Sequence, residues 1–205
     1  MQQEPEKAKQ ARALKTREKI IESGKELFCR DGYFATSAKK ISKHAGVATG
    51  TFYNHFNDKK ALLLEIYRRH SAAVHDEAEH FLRRELGSKT ASVETLPMMR
   101  KMVQLVYETH SFSPELHREI TVLALTDPDF AEMNRTEKAQ AREKLSLLLQ
   151  PYADAMRIRD VEAADTVISQ TFEAVVHSII INDPAVPKQR LLDALADMLN
   201  RFVFK

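Results

Sequence analysis

Apolar residues in this chain recur at intervals of three and four, the spacing of a helix with one buried side, and no stretch alternates as a half-buried strand does. From Thr16, the positions Ile20, Ile21, Gly24, Leu27 and Phe28 predict a first helix. It ends at Asp31-Gly32, where glycine can adopt the left-handed backbone of a C-cap. Thr36 or Ser37 can cap a second, short helix with the stripe Ala38, Ile41 and Ala45, stopped by Gly46. A third helix is predicted from Thr49 to Phe56, and Asn57-Asp58 caps a long fourth one through Leu86. Its buried candidates include Leu62, Leu63, Ile66, Tyr67 and Val74. Five more helices are expected near 92–110, 114–126, 129–156, 160–182 and 188–203. The fold class is therefore all-α.

Turn residues divide the chain unevenly. Four of the five glycines lie in the first 50 residues, and six of the seven prolines lie beyond residue 90. The first part reads as short elements joined by tight turns, the second as long helices interrupted at prolines. The expected organisation is a flexible charged arm over 1–14, a three-helix domain over 15–60, and a larger helical domain over 61–205.

Composition adds limits. The 205 residues are 43% hydrophobic and 29% charged, enough to bury a core. No segment has the apolar length of a membrane span, and Met1 to Arg17 lacks the apolar stretch of a secretory signal. Cys29 is the only cysteine, which excludes an internal disulfide and fits a cytoplasmic location. The net charge of +2 hides an asymmetry. Residues 1–60 carry thirteen Lys and Arg against seven Asp and Glu, a net +6, and the remainder carries a net −4. A basic head on a mildly acidic body suits a polyanionic partner at the head, although a solvated charged surface has the same composition.

The head also holds a motif. Two short helices joined by a tight turn at Gly46 form a helix-turn-helix. In the second of them Phe52 and Phe56, four residues apart, can anchor one side in the core. Thr49, Thr51, Tyr53, Asn54 and His55 then fill the remaining perimeter with hydrogen-bonding groups, and Gly50 permits close approach of a neighbour or a phosphate. Lys59 and Lys60 fall in the first turn of the next helix, where they oppose its dipole. That cost is sensible if they hold phosphate there.

The run Gly32-Tyr33-Phe34-Ala35-Thr36-Ser37, then Ile41, Ala45-Gly46-Val47, and Gly50-Thr51-Phe52-Tyr53-Asn54-His55-Phe56 with Lys59 resembles the N-terminal domain of TetR-type transcriptional regulators. The likeness spans about residues 16–65. Ser42 stands where that family usually has alanine, and Lys60 where an acidic residue is common; both departures could alter DNA contacts. The resemblance implies a ligand-responsive repressor that binds a palindromic operator as a homodimer and is released by a small, largely apolar effector, without a cofactor. Tyr53 and His55 match the family's phosphate-contacting pair and Lys59 its phosphate clamp, with Ser37 and Lys39 also meeting the DNA backbone. Thr49, Thr51 and Asn54 are the candidates for base edges: threonine can touch a thymine methyl, and asparagine can bind adenine through two hydrogen bonds. In this reading the effector moves the fourth helix, and with it the DNA head.

For the body the resemblance implies a four-helix dimer interface. Val161, Ala164, Ile168, Phe172, Val175 and Ile179 form a seam on one helix, and Leu191, Leu195, Met198 and Phe202 form another. Such seams serve equally well as intramolecular core. The candidate effector pocket comprises Met98, Met102, Leu105, Tyr107, Phe112, Ile120, Met133, Phe172 and Val176, with His110, His117 and His177 as polar groups. Core packing is the competing reading for each of them. Catalysis finds no support: His70, His75 and His80 do not share a helix face, and no metal-ligand pair or phosphate-cradling glycine loop occurs.

Overall fold

In the computed structural model the described residues, 4–87, 95–110, 113–149, 156–182 and 184–204, form nine helices. They are α1 (Glu4–Asp31), α2 (Ala38–Ala45), α3 (Thr49–Tyr53), α4 (Lys59–Gly87), α5 (Thr95–His110), α6 (Pro114–Thr126), α7 (Pro128–Leu149), α8 (Val161–Ile181) and α9 (Lys188–Val203). The only bridge among the described residues is an isolated antiparallel one between Met156 and Phe204. Phe112, and the side chains of Val74 and His110, lie outside what is described.

Two elements differ in extent from the sequence reading. The first helix begins at Glu4, so the described part of the expected arm is helical. Its composition explains this, because Ala8, Ala11, Ala13 and Leu14 are strong helix formers and Glu4 and Glu6 suit the positive end of the dipole. The third helix is short, ending at Tyr53, and the chain continues through turns that keep Phe56 N–H on the Phe52 carbonyl at 2.9 Å.

The chain forms two compact units, Met1–His70 with Arg118–Ala131, and Ser71–His117 with Glu132–Lys205. The first therefore reaches past the sequence boundary at residue 60 and takes in a distant segment. Its core includes Ile20, Ile21, Leu27, Phe28, Ile41, Phe52, Leu62 and Leu63. Gly24 lets α1 and α4 approach closely, since a Cβ there would sit 2.5 Å from Leu62 Cδ2. Beside that contact Glu65 accepts hydrogen bonds from Arg17 at 3.0 Å and Arg69 at 2.8 Å, and Arg69 also reaches Glu18 at 2.6 Å. Burial raises the Glu65 carboxyl, yet the hydrogen bonds from Arg69, Arg17 and Arg68 outweigh it and leave the group below its ordinary pKa.

Several contacts among the described residues join Arg118–Ala131 to this unit. The Tyr33 backbone N–H donates to the Glu119 carboxylate. Lys60 donates to Asp127 and Asp129. The Tyr67 and buried Phe130 rings meet at 5.3 Å between centroids. Asp127 meanwhile caps α7 by accepting the N–H groups of Asp129 at 3.0 Å and Phe130 at 3.1 Å.

In the second unit α9 packs into two clusters. Leu192, Leu195, Ala196 and Leu199 pack with Phe172 and Val176 of α8 and Val103 and Tyr107 of α5. A second cluster joins Phe81, Leu82, Met98, Val203 and Phe204. No helix among the described residues is long and apolar enough to cross a membrane.

Candidate nucleic-acid interface

The helix-turn-helix is assembled from local rules. α1 ends at Gly32, whose φ of +83° only glycine adopts readily, and Gly32 N–H donates to the Phe28 carbonyl at 3.1 Å. A Cβ at this position would also lie 2.7 Å from Glu119 Oε1. Thr36, buried, donates its hydroxyl to the Gly32 carbonyl at 2.7 Å and closes the turn. Ser37 then caps α2 by accepting the Lys40 N–H at 3.2 Å. Gly46, at φ +67°, ends α2 and turns the chain into α3. Asp58 caps α4 through the Ala61 N–H at 2.7 Å.

On α3 and the turn after it the two faces separate as their side chains require. Phe52 and Phe56 are buried with ring centroids 5.9 Å apart, and Arg17 lays its guanidinium 4.9 Å from the Phe56 ring centroid. Thr49, Gly50, Tyr53 and Asn54 are exposed; Thr51 and His55 are half-buried. Tyr53 keeps 55% of its surface exposed despite its size, which places an aromatic ring with a hydroxyl on the outer side. A Cβ at Gly50 would meet nothing within 4 Å, so no neighbour within the described chain requires glycine there. Ser37 and Lys39 are exposed at the start of α2. A shallow groove of about 370 Å³ runs along this side, lined by Phe34, Ser37, Tyr53 and Lys59 among others. Phe34 was not anticipated. Its 61% exposure beside Tyr53 is a tertiary fact, because a Gly-aromatic-aromatic turn does not say which ring goes inward.

Three other residues take positions the sequence did not suggest. Lys59 Nζ donates to the carbonyls of Tyr33 at 2.8 Å, Thr36 at 2.9 Å and Phe34 at 3.4 Å, and lies 4.3 Å from the Tyr33 ring centroid. Its three donors are thus used within the head, and burial lowers its pKa against the opposing pull of Glu119. Lys60 Nζ sits 3.0 Å from Asp127 and 2.7 Å from Asp129, whose hydrogen bonds raise its pKa. Its partners lie 67 and 69 residues away in sequence, which is why helix-dipole reasoning assigned it to phosphate. Ser42 is 1% exposed and donates to the Ala38 carbonyl at 2.7 Å, so its departure from alanine is internal to α2 and offers no direct DNA contact. We expect Lys60→Ala to leave the salt dependence of DNA binding unchanged. Counting ions from a titration in KCl checks this, since a lost phosphate contact would reduce the slope by about 1.

This geometry coincides with matches to known families. Residues 20–66 match the model of bacterial regulatory proteins of the tetR family, and residues 97–202 match the tetracyclin repressor-like C-terminal domain. The chain belongs to the TetR family. The fatty acid metabolism regulator protein of Bacillus subtilis (strain 168) is 23% identical over 195 residues, covering 88% of this chain and 91% of that protein. A TetR-family regulator from Mesorhizobium loti superposes with a TM-score of 0.72 at 19% identity, over 95% of this chain and 99% of that one. Thermus thermophilus FadR, a TetR-family repressor solved with lauroyl-CoA, superposes with a TM-score of 0.65 at 22% identity, over 91% and 94% of the two chains. TetR-family proteins are DNA-binding transcription regulators with a ligand-binding C-terminal domain, and this chain has both halves.

The TetR-like body distributes the remaining candidates. Among the proposed effector contacts, Tyr107, Phe172 and Val176 share one packed cluster, whereas Met98 belongs to a second with Met102 against it. Leu105 is buried and Met133 half-buried. His117 and His177 are brought together at 4.9 Å between ring centroids. Ile120 falls in the first compact unit, apart from the others. A groove of about 380 Å³ lies instead against Arg100, Lys101, Gln104, Gln189, Leu192 and Asp193.

The two proposed dimer seams are each divided. Ala164, Phe172 and Leu195 are buried within their own chain, and Ile168, Val175 and Ile179 pack partly against the same cluster. Val161, Met198 and Phe202 stay exposed at 51%, 45% and 41%. Leu191 is half-buried. Spacing of three and four places residues 191, 195, 198 and 202 along one line, but α9 is apolar over a wide arc, and only the fold shows that its intrachain face is centred nearer 192, 196, 199 and 203.

Proposed function

We propose that this TetR-family chain is a repressor that binds a palindromic operator as a homodimer and leaves it when a small, largely apolar effector occupies the body. The two-sided recognition segment carries this reading: Phe52 and Phe56 fix it in the core while Thr49, Tyr53 and Asn54 are exposed. A segment of this length reads few bases, so two copies about 34–36 Å apart are needed to define a site. The exposed apolar residues Val161, Val167, Met198 and Phe202 on α8 and α9 support a two-fold pairing. An apolar effector is supported by the relatives, one described as a fatty acid metabolism regulator and one solved with lauroyl-CoA. The protein then acts by linkage, the effector's preference for one conformation setting operator affinity, and not by catalysis.

The test starts from a duplex enriched out of a random 40-bp library by the wild-type protein. Tyr53→Ala should bind it more weakly by about 1–3 kcal/mol, with its fold unchanged by circular dichroism. Wild-type-like affinity of that variant, or failure of the wild type to enrich any sequence, would remove the basis of this reading.

A further inference from the structure

The first turns of α1 carry cations without an ion-pair partner among the described residues. From Lys7 to Arg17 there are five Lys or Arg and not one Asp or Glu. Lys7 through Lys15 are all exposed, as is Lys19. At about 100° per residue, Lys9, Arg12 and Lys19 fall on one side of the helix, with Lys15 flanking them. Among the described residues none of these four forms an ion pair, whereas Arg17, Lys60 and Arg69 of the same unit all do. Like charges three and four residues apart destabilise a helix. Glu18 and Glu22 follow Lys15 and Lys19 by three residues, but no carboxylate between Lys7 and Arg17 offsets the repulsion there.

The position of the stripe is as telling as its charge. Lys9, Arg12 and Lys19 align with Ser23 and Leu27, which are buried where α1 packs into the helix-turn-helix unit. The cationic stripe thus runs along the edge of α1's buried face that Ser23 and Leu27 mark. A row of about 15 Å, from Lys9 to Lys19 at 1.5 Å per residue, is long enough to meet several successive phosphates of one DNA strand.

We propose that the projecting turns of α1 form a second DNA contact, in which Lys9, Arg12, Lys15 and Lys19 neutralise backbone phosphates beside the groove occupied by α3. The contact adds affinity without sequence preference and rests on the DNA-binding reading above. It has a distinct signature, because each neutralised phosphate releases condensed counterions and steepens the salt dependence of binding.

The full chain is titrated against the enriched duplex by fluorescence anisotropy from 50 to about 300 mM KCl, the range in which counterion release dominates. The K9A/R12A/K15A/K19A variant keeps its helix, since alanine is the strongest helix former. Its log–log salt slope should be shallower by about 2–4 per bound protomer, and its affinity at 0.1 M salt at least about ten-fold weaker. Discrimination against a scrambled duplex should survive. K9R/K15R/K19R should bind as the wild type does. R83A/R135A/R157A/R201A, which removes four cations elsewhere, should leave the slope unchanged. A stripe variant with wild-type slope and affinity overturns the proposal while loss of binding by Tyr53→Ala leaves the DNA reading standing. An equal fall in slope for the control variant overturns it as well, by reducing the effect to net charge. Absence of salt-dependent DNA binding by the wild type overturns both.

Discussion

Phe52→Ala is expected to destabilise the DNA-binding head by about 3–5 kcal/mol, the range for emptying a buried phenyl site. Phe52 is fully buried, lies tilted against Phe56 at 5.9 Å between centroids and meets the Tyr53 ring edge-on at 5.4 Å. The cavity cannot close cheaply, because Phe56 is itself held by Arg17 and α3 is only five residues long. A helix of that length has no stability of its own and depends on its anchor. Operator binding should therefore disappear together with the head's unfolding transition in urea. Retention of both within 1 kcal/mol, a margin set well below the large-to-small range, would mean that the phenyl group is not the anchor.

The second large effect is expected at Lys59. Replacing it with methionine keeps the aliphatic stem but removes the ammonium from three carbonyls, two of them on the buried residues Tyr33 and Thr36. Hydrogen bonds from a charged donor contribute more than neutral ones, and the carbonyls regain only part of this from water. The expected loss is about 2–3 kcal/mol. Arginine should rescue it poorly, since a planar fork cannot direct donors to three divergent carbonyls as an ammonium does. Operator affinity should fall because the Gly32–Ser37 turn loosens, yet the salt slope should hold. A slope shallower by about 1 with normal stability would instead return Lys59 to the phosphate-contacting role its motif implies.

How much of this was readable beforehand follows from the range of the forces involved. Caps and breaks were legible: Ser37, Gly46, Asp58 and the Asp31-Gly32 stop act through bonds to residues within four positions. So was the division of the third helix into a phenyl side and a polar side. Residues 1–14 can read as a frayed arm or as an extension of the first helix; the helix begins at Glu4, because alanine and alternating long side chains favour helix without any core. For Lys60 the local dipole cost is visible in the sequence, whereas its acidic partners at 127 and 129 are not.

The chain's linear order thus carried the helix count, the helix-turn-helix, its inward phenyls and its family membership, all of which depend on short-range periodicity and steric rules. Folding in three dimensions settled the rest: that Lys59 and Lys60 serve the head's own architecture, that residues 118–131 join that head, and which stripe of α9 faces inward. Those outcomes hinge on encounters between residues dozens of positions apart. Charge and hydrophobicity are properties of single side chains, but a partner is a property of place.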